Sequence, residues 1–262
     1  MSRLLLKTLR KLVMLVAKAN NKLPAILEID LQRMQGKGTG AGDSVEVEAK
    51  TALEFISRYG ITEPVVLDIG ANNGSYSEAI LSVEPRATVF AFEPSSAARR
   101  KLEGRFLGSN SVKVVPFALG SAVSKTELWF DTAGSGLASL TKRRLEHFGI
   151  EFSESEDVEV TTLDLWVEVN KVVPNLVKMD VEGHELDVLN GGINTLALAQ
   201  VVQFEFGGCN IDTKTFFQDF WYFFTKMGFA LYRISKSGPI RILRYSEADE
   251  CFRTTNYLAV RE

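Results

Sequence analysis

From Val65 onward, short apolar runs alternate with stretches whose apolar positions recur at helical spacing. The runs predict strands near 65–69, 88–92, 112–116, 175–180 and 200–206, with helices between most of them, notably 75–82, 95–106 and 183–190. Such alternation is the signature of an α/β fold built on a mostly parallel sheet. The rhythm breaks after the third strand. Thr126–Asp131 and Asp157–Thr162 predict two strands joined by the polar stretch 132–156, giving an insertion over 120–165. So long a connection on an α/β scaffold usually covers or shapes a site. Ala230–Ser235, Ile240–Tyr245 and Asn256–Val260 predict closing strands, the last added antiparallel at the sheet edge.

Upstream, residues 1–22 hold Arg3, Lys7, Arg10, Lys11, Lys18 and Lys22 and no acid. At 100° per residue Leu5, Leu9, Leu12, Val13 and Val16 share one helical face, and the basic residues share the opposite one. A basic amphipathic helix of this kind lies on an anionic membrane surface or docks its apolar face on the core or on a second copy of the chain. Gly36-Lys37-Gly38-Thr39-Gly40-Ala41-Gly42 reads as a flexible linker, and residues near 45–59 as a helix. The organisation expected is therefore an extension over 1–42 and one domain over 43–262.

Composition narrows the function. At 262 residues with 45% hydrophobic side chains, the chain is long enough for one domain with a full core. A net charge of −3 argues against a nucleic-acid partner. Cys209 and Cys251 have no metal spacing and read as thiols in a reducing cytoplasm, with peripheral contact at the inner membrane face through residues 1–22. No apolar run approaches the ~20 residues of a membrane span.

The richest stretch is Pro64-Val-Val-Leu-Asp68-Ile-Gly70-Ala-Asn72-Asn-Gly74, a strand ending in an acid, a glycine turn and a helix start. About 25 residues on, after the second strand, stands Glu93-Pro94, which completes a βαβ nucleoside-binding unit. The spacing Gly-x-x-x-Gly lacks the middle glycine that lets a backbone touch a pyrophosphate. An acid at Asp68 would repel a pyrophosphate by about 4 kcal/mol at 4 Å and an effective dielectric near 20, and attract an ammonium by as much. S-adenosylmethionine carries that ammonium and no phosphate. Glu93 suits its ribose diol, Gly70, Asn72 and Gly74 line the turn, and Ala118, in Phe117-Ala118-Leu119-Gly120, is placed to pack on adenine.

A second motif, Lys178-Met-Asp180-Val-Glu182-Gly-His184-Glu185, ends the strand beside the first, across the topological switch point. Asp180 is the leading candidate for a general base and His184 the second. Glu182 and Glu205, the latter near the end of the next strand, are expected to bind acceptor hydroxyls or, with Asp180, a divalent cation. No spacing demands a metal. Lys178 would neutralise the cluster, and helix capping alone would explain Glu185. Ser135–Leu140 is the expected acceptor wall, with Lys142-Arg143-Arg144 beside it for an anionic acceptor.

Together Leu67–Gly74, Phe92-Glu93-Pro94, Ala118-Leu119-Gly120 and Lys178–Glu185 resemble the FkbM family of S-adenosylmethionine-dependent methyltransferases. The resemblance runs from about residue 64 to 207. It implies a Rossmann-like class I fold with a seven-stranded sheet and O-methylation of a hydroxyl on a sugar, a glycan or glycolipid precursor, or a polyketide-type product. It makes Asp68, Gly70, Asn72, Gly74 and Glu93 cofactor contacts, and Asp180 and Glu182 active-site residues. The alternatives are a non-catalytic adenosylmethionine-binding protein and, against the glycine spacing, an NAD(P)-dependent oxidoreductase.

Overall fold

The computed structural model describes residues 7, 11, 13–18, 22–38, 40 and 45–262. Along the chain, β1 (Val65–Ile69), β2 (Thr88–Phe92) and β3 (Val112–Val115) pair in parallel. The chain then leaves this sheet and builds a small second one from β4 (Ala118–Leu119), β5 (Ser124–Phe130) and β6 (Glu154–Thr161), in the order β4-β6-β5. It returns as β7 (Leu176–Met179) and β8 (Val201–Phe206), and closes with β9 (Phe229–Arg233), β10 (Ile240–Ile242) and β11 (Thr255–Arg261). The main sheet has the order β10-β9-β11-β8-β7-β1-β2-β3. It is the Rossmann-like α/β architecture expected, with eight strands where seven were expected.

The eighth is β10. The chain turns back through Gly238, whose φ of +109° favours glycine, and pairs β10 antiparallel to β9. A second difference concerns β11, expected at the edge. It lies inside, antiparallel to both β8 and β9. Its burial explains why. Tyr257 and Ala259 belong to the core on one face of the sheet, Leu258 and Val260 to the core on the other. A strand apolar on both faces is stable only with neighbours on both edges and layers above and below.

The same alternation runs through the parallel strands. Leu67, Ile69, Val177, Met179, Val202 and Phe204 meet the helices Leu163–Asn170 and Phe217–Lys226, where Phe204 stacks on Phe220 with ring centroids 5.0 Å apart. Val66, Leu176 and Val201 meet the helices Val45–Ser57 and Ser75–Val83. On that second face the alternation also carries a polar row. Asp68, Lys178 and Gln203 sit directly opposite one another on β1, β7 and β8.

The glycine segment is not a free linker where it is described. Lys37 is buried and pairs with Asp249 at 3.3 Å. Gly38 N donates to Thr255 Oγ1 and Gly40 N to the carbonyl of Thr254. Of the apolar stripe expected over 1–22, Val13 and Val16 are helical and exposed, while Leu5, Leu9, Leu12, Arg3 and Arg10 lie outside the described residues. Among the described residues no helix is long and apolar enough to cross a membrane.

Candidate active site

Two turns at the carboxyl ends of β1 and β7 meet backbone to backbone. Gly70 has φ +76°, and a Cβ there would lie 1.9 Å from the carbonyl oxygen of Asp180, so only glycine fits. The Asp180 amide donates back to the Ile69 carbonyl at 3.0 Å. Asn72 (φ +48°) and Glu182 (φ +53°) hold left-handed backbone without being glycine, a strain that concentrates at functional sites. Glu185 fixes the second turn, since its buried Oε1 accepts from the amides of Val181 and Gly183. Burial raises its carboxyl to about 7 despite those bonds. Glu185 thus fastens the turn before its helix instead of capping the helix, the role expected of it.

Glu93, at the end of β2, accepts from the Asn72 amide (2.7 Å) and the Ser95 amide (2.8 Å), one on each oxygen. Burial pushes its pKa up to about 7, against the pull of those two bonds. Each oxygen keeps a second lone pair for a ligand hydroxyl. Phe117, Ala118 and Leu119 form an apolar wall next to it, and these residues join Gly70 and Asn72 around one cavity.

The lining of that cavity also includes Asp180, Glu182 and His184. Asp180 is the most open of the three, with a side chain 40% exposed, and its Oδ2 is 3.7 Å from Lys178 Nζ. Glu182 is nearly buried and forms a short ion pair with Arg143. Burial drives its pKa up to about 8, with the Asp180 charge adding to the rise and Arg143 opposing it. His184 Nδ1 meets Asp187 Oδ2 at 2.8 Å, and Nε2 meets Thr141 Oγ1 at 2.9 Å. With Asp187 taking an Nδ1 proton, Nε2 is the acceptor and Thr141 its donor.

The insertion supplies the cover. Ser139 Oγ donates to the Glu182 carbonyl, and Ser135, Gly136 and Leu140 line the cavity. The basic triplet behaves differently. Arg143 turns inward, its Nε 3.5 Å from Asp212 Oδ2 and its other arm on Glu182, while Lys142 Nζ sits 4.7 Å from the Trp129 ring centroid. Arg143, expected to meet an anionic acceptor, is instead paired with Glu182 and Asp212, and Thr141 joins His184 without a signal in the local pattern. A charge run reads as a solvated face until the chain folds back on it.

Among the expected cofactor residues, Gly70, Asn72, Glu93 and Ala118 line the cavity, and Asp68 and Gly74 do not. Gly74 starts the next helix and packs on Leu102 and Phe106. Asp68 is fully buried. The cation opposite it is Lys178, at 3.2 Å, and Ser77 Oγ donates to its other oxygen at 2.6 Å. The placement of Asp68 against a ligand ammonium is therefore corrected, because the register of β1 and β7 supplies a lysine there instead. Burial pulls the Lys178 pKa down, but Asp68 and Asp180 outweigh it and hold the ammonium charged.

Among the expected catalytic residues, Asp180, Glu182 and His184 line the cavity together, while Lys178, on the polar row, and Glu205, opposite Asn256 on β11, do not. Lys178 also donates to the Gly70 carbonyl, so it ties the two turns from below. Burial, then the charges of Asp180 and Glu182, raise the Glu205 carboxyl well above the usual range. Among the described residues no group of three or more His, Cys, Asp or Glu side chains is arranged to hold a metal.

Comparison with known proteins bears on the same segment. The methyltransferase FkbM domain family matches residues 68–231. The 2-O-methyltransferase NoeI of Sinorhizobium fredii is 26% identical over 168 residues, 60% of this chain and 69% of NoeI. The hexuronic acid methyltransferase AglP of Haloferax volcanii is 33% identical over 138 residues, 51% of this chain and 52% of AglP. A solved FkbM methyltransferase from Methylobacillus flagellatus aligns with a TM-score of 0.46 at 14% identity, over 91% of this chain and 60% of that one. The family match takes in both turns, the insertion and β8, well over half of the sequence, and this chain belongs to the FkbM family of S-adenosylmethionine-dependent methyltransferases.

Proposed function

We propose that this enzyme transfers the methyl group of S-adenosylmethionine to a hydroxyl of a sugar or glycan acceptor. The observation that carries the reading is the single cavity. Its lining combines Glu93, Asn72 and apolar residues with Asp180, Glu182 and His184. The first of these groups fits the cofactor. Glu93 would hold the ribose hydroxyls with its spare lone pairs, Phe117 and Leu119 would cover the base, and Gly70 would admit the ligand next to the backbone. When bound, the sulfonium supplies an activated methyl group, so the protein has to align the acceptor oxygen, exclude water and take a proton.

Asp180 would take the proton. A sugar hydroxyl is too weak an acid to ionise beforehand, and Asp180 is the most open carboxylate on the acceptor wall. Glu182, fixed by Arg143, would present an oriented partner for a neighbouring hydroxyl, and His184, both of whose ring nitrogens are engaged by Asp187 and Thr141, would shape the surface beside it. The names of NoeI and AglP, a 2-O-methyltransferase and a hexuronic acid methyltransferase, support a carbohydrate acceptor. The test is methyl transfer from labelled S-adenosylmethionine to a panel of neutral hexoses and hexuronic acids. A base-stable methyl ether supports the reading. A base-labile methyl ester, or label in an amine acceptor only, sinks it.

A further inference from the structure

We propose that the extension before residue 35 is a docking element for an anionic lipid bilayer. Three observations converge on it. First, residues 1–22 contain Arg3, Lys7, Arg10, Lys11, Lys18 and Lys22 and no acid, and the Leu23–Met34 helix adds Arg33 with only Glu28 and Asp30. Lys7, Lys11 and Lys18 are exposed. Second, the apolar residues of the extension are not covered by the domain. Val13, Met14, Leu15 and Val16 are 41, 61, 68 and 45% exposed, and the Leu23–Met34 helix buries none of its 12 residues. Val13, Met14 and Ala17 line an open groove with Pro24, Leu27 and Leu31. Isolated apolar side chains at a surface are ordinary, but a contiguous set rimmed by lysines marks an interaction surface.

Third, the extension leaves the domain at the edge where the cavity lies. Arg253 donates to Gln32 Oε1 at 3.1 Å, Lys37 pairs with Asp249, and Gly38 and Gly40 bond to Thr255 and Thr254. Thr255 opposes Phe206 at the carboxyl end of β8. That end of the parallel strands carries the acceptor wall.

Charge selects the occupant. In a two-fold dimer through this face each cationic segment would meet its own copy, and like charges in register disfavour that pairing. An anionic lipid surface attracts the lysines and receives the apolar side chains. Val13 and Val16 enter the acyl boundary, and the lysines sit at headgroup height with their stems along the apolar surface.

The test is sedimentation of the full chain with vesicles of phosphatidylcholine alone and of phosphatidylcholine with phosphatidylglycerol. Partition should rise with the anionic fraction and fall with added salt. Each lysine near the surface contributes about a fivefold factor, so Lys7→Glu/Lys11→Glu/Lys18→Glu should lower partition by a hundredfold or more. Val13→Asp/Val16→Asp should lower it at low salt as well. Stabilisation of both variants by adenosylhomocysteine reports that the domain is folded and is independent of any acceptor. Equal partition on neutral and anionic vesicles overturns the proposal, as does wild-type partition by the triple variant. A stable dimer that Val13→Asp/Val16→Asp dissociates, with no vesicle binding by the wild type, overturns it in favour of a second copy of the chain.

Discussion

Replacing Lys178 by Met tests the least expected contact in the molecule. Lys178 Nζ lies 3.2 Å from Asp68 Oδ1, and Asp68 has no solvent exposure. At an effective dielectric near 20 that separation corresponds to about 5 kcal/mol of attraction. Desolvating both ions offsets much of it, so the pair itself contributes little net stability. Breaking it is another matter. Lys178→Met leaves a buried carboxylate still bonded to the Ser77 hydroxyl but without its cation, and removing one half of such a pair costs about 3–5 kcal/mol. For a domain of this size the melting temperature should fall by about 10 °C or more. Asp68→Asn/Lys178→Met removes both charges and should regain most of that loss, which a double-mutant cycle in urea would measure. Isothermal titration with adenosylhomocysteine on the double variant completes the experiment, with binding expected to persist. The reasoning fails if Lys178→Met costs under about 1 kcal/mol, or if the second substitution recovers nothing. It also fails if Asp68→Asn alone abolishes binding in a fully stable protein, because Asp68 would then be touching the ligand.

The raised carboxyl of Glu93 makes cofactor affinity depend on pH. The ribose hydroxyls need an ionised acceptor, so adenosylhomocysteine affinity should climb by up to about tenfold per pH unit towards pH 7 and then level off. Glu93→Gln should flatten the profile, and a flat wild-type profile would refute the assignment. The same raised pKa has the opposite sign for the free protein, whose stability from this group falls as pH rises from the ordinary carboxylate range through about 7. Asp180→Asn should leave cofactor affinity intact and lower turnover by about 10²–10⁴-fold in single-turnover assays; retained turnover removes Asp180 as the base. Arg143→Met should destabilise the protein by up to about 3 kcal/mol above about pH 8, where buried Glu182 is ionised and loses its cation, and by less at lower pH. A rise in KM for a charged acceptor with no change in melting temperature would instead place Arg143 on the substrate.

The parallel strands were legible because each is a short apolar run bounded by turn residues, and β1, β2 and β8 begin and end within a residue of expectation. The interior place of β11 was not. Asn256–Val260 shows a buried strand, but which neighbours cover its edges is a long-range property that local pattern does not encode. Asp68 failed for a related reason. Its position at a strand end was readable, but its partner is set by the register of β1 against β7, across more than a hundred residues of chain. The site residues that were readable, Gly70, Asn72, Glu93, Asp180, Glu182 and His184, sit on turns whose chemistry is local. Arg143 and Thr141 meet Glu182 and His184 only because the segment between β5 and β6 folds back on them.

The contact between Gly70 and the Asp180 carbonyl leaves no gap in which either turn can move alone. Anyone retuning this enzyme for a new acceptor would therefore find the two loops inseparable, with changes at Val181 or Gly183 felt as altered cofactor grip. The hairpin insertion reaches the acceptor wall through side chains such as Ser139, Thr141 and Arg143, and is the segment to graft or randomise.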